Sequence, residues 1–145
     1  MPLFDKSGRR RGWSFDLWHE SFCGAKALWI FAAHGWCPLC QSVSSKQEAI
    51  LADYAEQGLV ALNVIVVNGQ SEPATPEYCQ LWRETHGLQE VFSLHDPEEN
   101  VLELWPGGSS SLSAFVDGDR IIRAKLVHDS SEASIRSEIE QVLAP

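Results

Sequence analysis

Apolar residues follow one another without a break over 27–33, and again over 59–67, where Asn63 alone interrupts the run. Successive side chains of a strand point to opposite faces, so a run that is apolar at every position suits a strand covered on both sides of a parallel sheet. Strands are therefore predicted over 26–33 and 59–67. Between them Val43, Gln47, Ile50, Leu51 and Tyr54 recur at three- and four-residue spacing, the stripe of a packing helix within 41–57 that stops near Gly58. Strand, helix and strand then form a right-handed crossover with the two strands parallel.

Further along, Thr75-Pro76-Glu77 supplies a cap, a proline at the first helical position and an acid in the first turn, and Gly87 supplies a stop. Together they predict a helix over 76–86. A short strand is predicted over 91–94, and a turn with a short helix over 96–104. Segments 112–116 and 121–126 flank Asp117-Gly118-Asp119-Arg120, a hairpin signal. Asp129 and Glu132 are spaced as a cap and its third helical residue, ahead of the stripe Ile135, Ile139, Val142 and Leu143, so the chain closes with a helix. At the other end residues 1–12 read as a flexible segment, and 13–18 alternate as an edge strand does. The order of elements belongs to the α/β class, a mixed sheet covered on both faces.

Composition narrows the function classes. With 145 residues the chain makes one domain, set at 13–145, which buries roughly 70% of the surface its unfolded form exposes. The formal charge of −9 argues against a nucleic-acid partner, whose phosphates would be repelled. No apolar run approaches the ~20 residues of a membrane span. Residues 1–11 contain no apolar core that would serve as a secretion signal, which leaves a cytoplasmic protein or a mature fragment trimmed of its leader. The basic run over 6–11 reads as a solvated terminus.

Chemistry concentrates in Gly35-Trp36-Cys37-Pro38-Leu39-Cys40, two thiols three positions apart between a strand and a helix. If the helix begins at Cys37, its sulfur faces unpaired main-chain N–H groups and the positive end of the helix dipole, which favour thiolate over thiol. Pro38 has no N–H to give, so the expected donors are the amides of Leu39 and Cys40 and the Cys40 thiol. Cys37 is thus the candidate nucleophile, and Cys40, deeper and less acidic, the resolving thiol. A zinc site would need a second ligand pair at defined spacing, and the chain has none. Cys23 and Cys79 are expected as buried apolar fillers, with Cys79 the better candidate for a third active thiol. His34 is a candidate for proton handling, His86 for a favourable charge at a helix C-terminus, and Trp36 for packing beside the thiols.

Residues 24–40 (Gly-Ala-Lys, an apolar strand, then His-Gly-Trp-Cys-Pro-Leu-Cys) resemble the glycine-lysine, strand and Trp-Cys-x-x-Cys of the thioredoxin superfamily, most closely its redoxin or TlpA-like thiol-disulfide oxidoreductases. Segments 58–67 and 114–122 extend the resemblance over about 14–144. It implies a thioredoxin-like fold, with a central mixed β-sheet, helices on both faces and a C-terminal β-hairpin plus helix. It further implies a monomer without cofactor that exchanges disulfides with protein thiols and is served by an upstream reductant or oxidant. Relatives of this type mostly work outside the cytoplasm, in the periplasm or on a membrane anchor.

Two departures stand out. The family's cis-proline position falls on Ser111, or on Ser110, so a trans, more mobile loop is predicted, since a non-proline cis bond costs about 2.5–4 kcal/mol. The strand that carries a buried acid in many relatives reads Trp29-Ile30-Phe31 here. The partner's sulfur would be presented in a groove made by Trp36, Pro38 and the 110–112 loop. A thiol peroxidase is disfavoured, because peroxiredoxins place Thr or Ser where this chain has His34. The rivals from other classes are a copper-binding or delivery module, for which two thiols and a histidine suit soft Cu(I), and a domain on the same fold that binds partners without turnover.

Overall fold

The computed structural model describes residues 2–4, 10–14, 25–108, 110–128 and 131–145. The two apolar runs become the centre of the sheet. Strand β3 (Ala27–His34) is buried at every residue and pairs in parallel with β4 (Leu59–Val67), from Ala27 opposite Leu59 to His34 opposite Val67. Between them runs α1 (Pro38–Tyr54), continued by a 3-10 turn (Ala55–Gln57) and closed by Gly58, whose φ of 98° is the left-handed conformation that glycine tolerates.

The chain continues through α2 (Pro76–His86), β5 (Phe92–His95), a 3-10 turn (Asn100–Leu104), β6 (Leu112–Asp117), β7 (Ile122–Val127) and α3 (Glu132–Leu143). The five-stranded sheet has the order β5-β4-β3-β6-β7, in which β5 runs parallel to β4 while β6 and β7 are antiparallel to their neighbours. Helix α2 keeps its predicted bounds because its signals are local. Thr75 Oγ1 accepts the Tyr78 N–H at 3.1 Å, and Gly87 stops the helix at φ 66°. In the hairpin, Asp117 Oδ1 accepts the N–H groups of Asp119 and Ile121 at 2.9 and 3.0 Å, closing the turn the sequence signalled.

One expectation changes. The cap of α3 is Ser131, whose hydroxyl accepts the Ser134 N–H at 3.3 Å, while Asp129 lies outside the described residues. At the start of the chain β1 (Pro2–Phe4) pairs antiparallel with β2 (Arg10–Ser14). Of the strand expected over 13–18, residues 15–18 lie outside the described residues.

Side chains alternate between two cores. Trp29, Phe31 and Phe115 face one side, where α1, α2 and α3 contribute Ile50, Trp82 and Ile139. Leu28, Ile30, Val64 and Val116 face the other, which the 3-10 turn covers with Val101 and Leu104 and the following Trp105. Asn63, the polar interruption in β4, is buried and fully engaged: it donates to Ser44 Oγ and Gln47 Oε1, both at 2.9 Å, and accepts from Trp82 Nε1 at 3.2 Å. These bonds tie α1 and α2 to the sheet, since a buried polar group costs stability unless it is paired.

Candidate active site

Strand β3 ends at His34 and the chain turns through Gly35 and Trp36 into α1. Gly35 is pinned on two sides: its N–H donates to the Val67 carbonyl at 2.9 Å, and its own carbonyl accepts from Gln41 Nε2 at 3.2 Å. Cys37 is the helix cap, extended at φ −88° and ψ 115°, with Pro38 in the first helical position. Its Sγ accepts the N–H of Cys40 at 3.2 Å, taking the place that a capping oxygen usually fills. Of the two amides expected to reach this sulfur, that of Cys40 does so.

Cys40 lies one turn deeper and is fully buried. Its thiol is pushed up to about 12, first by burial, then by the hydrogen bond it makes to Cys37. Two main-chain donors oppose the rise: the His34 N–H, 3.5 Å from Sγ, and the Ser111 N–H. Both cysteines are free thiols.

Around the pair, Trp36 and Leu39 are exposed at 44% and 42%, and Pro38 is exposed between them, so three apolar surfaces surround the nearly buried Cys37. Leu39 is the residue that sequence reading overlooked. An apolar side chain between the thiols at an exposed helix start was the available signal. The 110–112 loop turns inward, leaving Ser110 and Ser111 exposed by 8% and 1%. No cis peptide occurs among the described residues, and Ser111 adopts a left-handed φ of 52°.

His34 is buried, with its ring tilted 5.5 Å from that of Trp36 and Nδ1 without a hydrogen-bond partner. Burial lowers its pKa against the pull of Glu99, and the group it offers the thiols is its main-chain N–H. Cys79 is a buried thiol in α2 beside Arg83, pushed up by burial. Cys23 lies outside the described residues. His86 stands in the last turn of α2, where burial lowers its pKa and its Nδ1 pairs with Ser45 Oγ at 2.7 Å. Among the described residues no group of three or more His, Cys, Asp or Glu stands together as a metal site.

By sequence, no family model and no curated protein matches the chain. Its fold has many counterparts among solved structures. A thiol:disulfide interchange protein of the thioredoxin family from Chlorobium tepidum is 17% identical with a TM-score of 0.69, over 99% of this chain and 93% of that one. A thioredoxin-like protein from Aeropyrum pernix is 15% identical with a TM-score of 0.72, over 98% and 89%. A secreted Mycobacterium tuberculosis disulfide oxidoreductase, homologous to DsbE of E. coli, is 12% identical with a TM-score of 0.64, over 97% and 95%. The chain has the thioredoxin-like fold that these proteins share.

Proposed function

We propose that this protein is a thiol-disulfide oxidoreductase that exchanges disulfides with protein thiols, with Cys37 as nucleophile and Cys40 as resolving thiol. The observation that carries the reading is the capping geometry: Cys37 Sγ at the start of α1 accepts the Cys40 N–H, with the second thiol buried directly behind it. A sulfur in that position gains charge stabilisation from the helix terminus when it becomes an anion.

The reaction proceeds in two exchanges. The Cys37 thiolate attacks one sulfur of a partner disulfide, forming a mixed disulfide and releasing the first partner thiolate. Cys40, once deprotonated, attacks Cys37 Sγ, forming the Cys37–Cys40 disulfide and releasing the second. Two electrons pass to the partner, the two protons of the pair leave with them, and an upstream dithiol restores the reduced form. The same steps run in reverse for an oxidant. Trp36, Pro38 and Leu39 supply the apolar surface that receives the partner, with Ser110 and Ser111 forming the wall behind them. The protein works as a monomer, and it works outside the cytoplasm, a location supported by its likeness to the secreted mycobacterial oxidoreductase.

His34 contributes through its main-chain N–H, so His34→Ala, which keeps that group, retains turnover. A large loss in that variant would return proton handling to the imidazole. The deciding experiment is insulin reduction by a dithiol reductant with wild type and Cys37→Ser. Turnover that vanishes in Cys37→Ser supports the reading. Absent turnover in wild type with stoichiometric Cu(I) uptake would favour a copper module, and absent turnover without copper a partner-binding domain.

A further inference from the structure

Gln41 is an exposed residue in the first turn of α1 that bonds on both sides of Cys37. Its N–H donates to the Cys37 carbonyl at 3.1 Å, the bond that opens the helix ladder, and its side-chain Nε2 reaches back to donate to the Gly35 carbonyl at 3.2 Å. Water would satisfy an amide at such a position equally well, so the second bond contributes little to the helix. Its effect falls on the turn that leads into Cys37.

Residues 34–37 form a β-turn, closed by the Cys37 N–H on the His34 carbonyl at 3.0 Å, with Gly35 and Trp36 at its centre. The peptide between the two central residues is the part of such a turn that can roll over: types I and II share the closing bond and differ in the direction of that carbonyl. Gly35 and Trp36 both keep φ negative, which excludes type II, where the second central residue has φ of about +80°. The acceptor that Gln41 holds is the carbonyl of this central peptide, so its bond opposes the roll. Trp36 turns with the peptide. Its exposed ring leans on the His34 ring 5.5 Å away, and its direction otherwise follows the main chain that carries it.

We infer that Gln41 is a positioning residue for docking: by holding the Gly35 carbonyl it fixes the central peptide of the turn, and with it the direction in which Trp36 meets a partner. The inference rests on the reading that partner proteins dock on Trp36, Pro38 and Leu39. Among the described hydrogen bonds the Gln41 side chain holds the turn and neither sulfur. Its loss should therefore tell on recognition of a protein and not on attack at a small disulfide.

The test compares wild type with Gln41→Met, which keeps the length of the side chain and removes the donor. Gln80→Met makes the same change at an exposed glutamine of α2, which bonds Glu84 of its own helix at 2.7 Å. With insulin as substrate, Gln41→Met should raise KM about two- to tenfold and leave kcat unchanged, the pattern of lost binding. Its release of thionitrobenzoate from 5,5′-dithiobis(2-nitrobenzoate), too small to use the docking surface, should match wild type, and Gln80→Met should follow wild type throughout. An unmoved KM in Gln41→Met, or an equal loss against both disulfides, overturns the proposal. A second readout needs no turnover: the carbonyl carbon resonance of Gly35 and the indole N–H resonance of Trp36 should both shift in Gln41→Met, and either one unmoved also overturns it. If wild type itself turns over no insulin, the docking reading fails, while the two resonances still decide whether Gln41 holds the turn.

Discussion

The hydroxyl of Tyr78 occupies the space that a β-carbon on Gly35 would need. An ideal Cβ there would collide with that oxygen and would also stand 2.7 Å from the Asn68 carbonyl carbon and 2.9 Å from the Gly69 nitrogen. The first turn of α2 and the loop after β4 thus close on the segment that leads into Cys37. A side chain at 35 must displace backbone as well as the tyrosine. Gly35→Ala should cost about 1–3 kcal/mol, the range for overpacking a filled site. Adding Tyr78→Phe should recover part of the loss, because residues in contact are not additive. Urea midpoints of the two single variants and the double variant check this, and full additivity would show that the tyrosine is not what confines Gly35.

Reduced protein should lose stability in alkali. The Cys40 thiol is raised from an ordinary value of 9.0 to about 12, chiefly by burial and then by its bond to Cys37. A folded-state value above the unfolded one contributes stability that is complete below about pH 9 and is lost as pH rises toward 12. Melting temperatures of the reduced protein across that window should fall, and Cys40→Ala should flatten the fall. In Cys37→Ala the hydrogen bond and charge of Cys37 are removed, so Cys40 should titrate lower than in wild type while staying above the ordinary value.

In acid, His34 and His86 act in the same direction. Burial lowers both below the ordinary 6.5, so the unfolded chain binds protons that the folded one refuses. The stability they contribute is present above pH 6.5 and is lost as pH falls below it. His86→Asn should reduce the loss between pH 7 and pH 5, in melting temperatures compared with wild type. A variant with the same acid slope would remove His86 from the account.

Glu48 joins α1 to the loop after α2. Its carboxylate oxygens accept the N–H groups of Gln89, Glu90 and Val91 at 3.0, 2.7 and 3.1 Å. Hydrogen bonds to a charged acceptor are worth about 1.5–3 kcal/mol, so Glu48→Ala should destabilise by that order and Glu48→Gln by less. Amide hydrogen exchange should quicken at residues 89–91 before it does elsewhere. Uniform loss of protection across the sheet would show that the carboxylate does not hold this loop in particular.

Much of this architecture is written in local pattern. The bounds of α2 follow from Thr75, Pro76 and Gly87 acting within one turn of each end, and β4 from nine residues that are nearly all apolar. The thiol pair was legible because Cys37 and Cys40 are neighbours across a single helical turn whatever the remainder of the chain does. Even the loop at Ser111 was foreseen as trans, from the energetic cost of the alternative alone.

Contacts between distant segments were not legible. Ser111, expected beside the thiols in a docking groove, is buried, and His34 meets the Cys40 sulfur with its backbone. Asn63 interrupts an apolar run, yet only the packing of α1 and α2 supplies Ser44, Gln47 and Trp82 as its partners. Amino-acid order by itself determined the elements and the reactive pair, since periodicity and capping act over a few residues. Tertiary structure decided which groups surround each sulfur, because that depends on how the strands register and the helices dock.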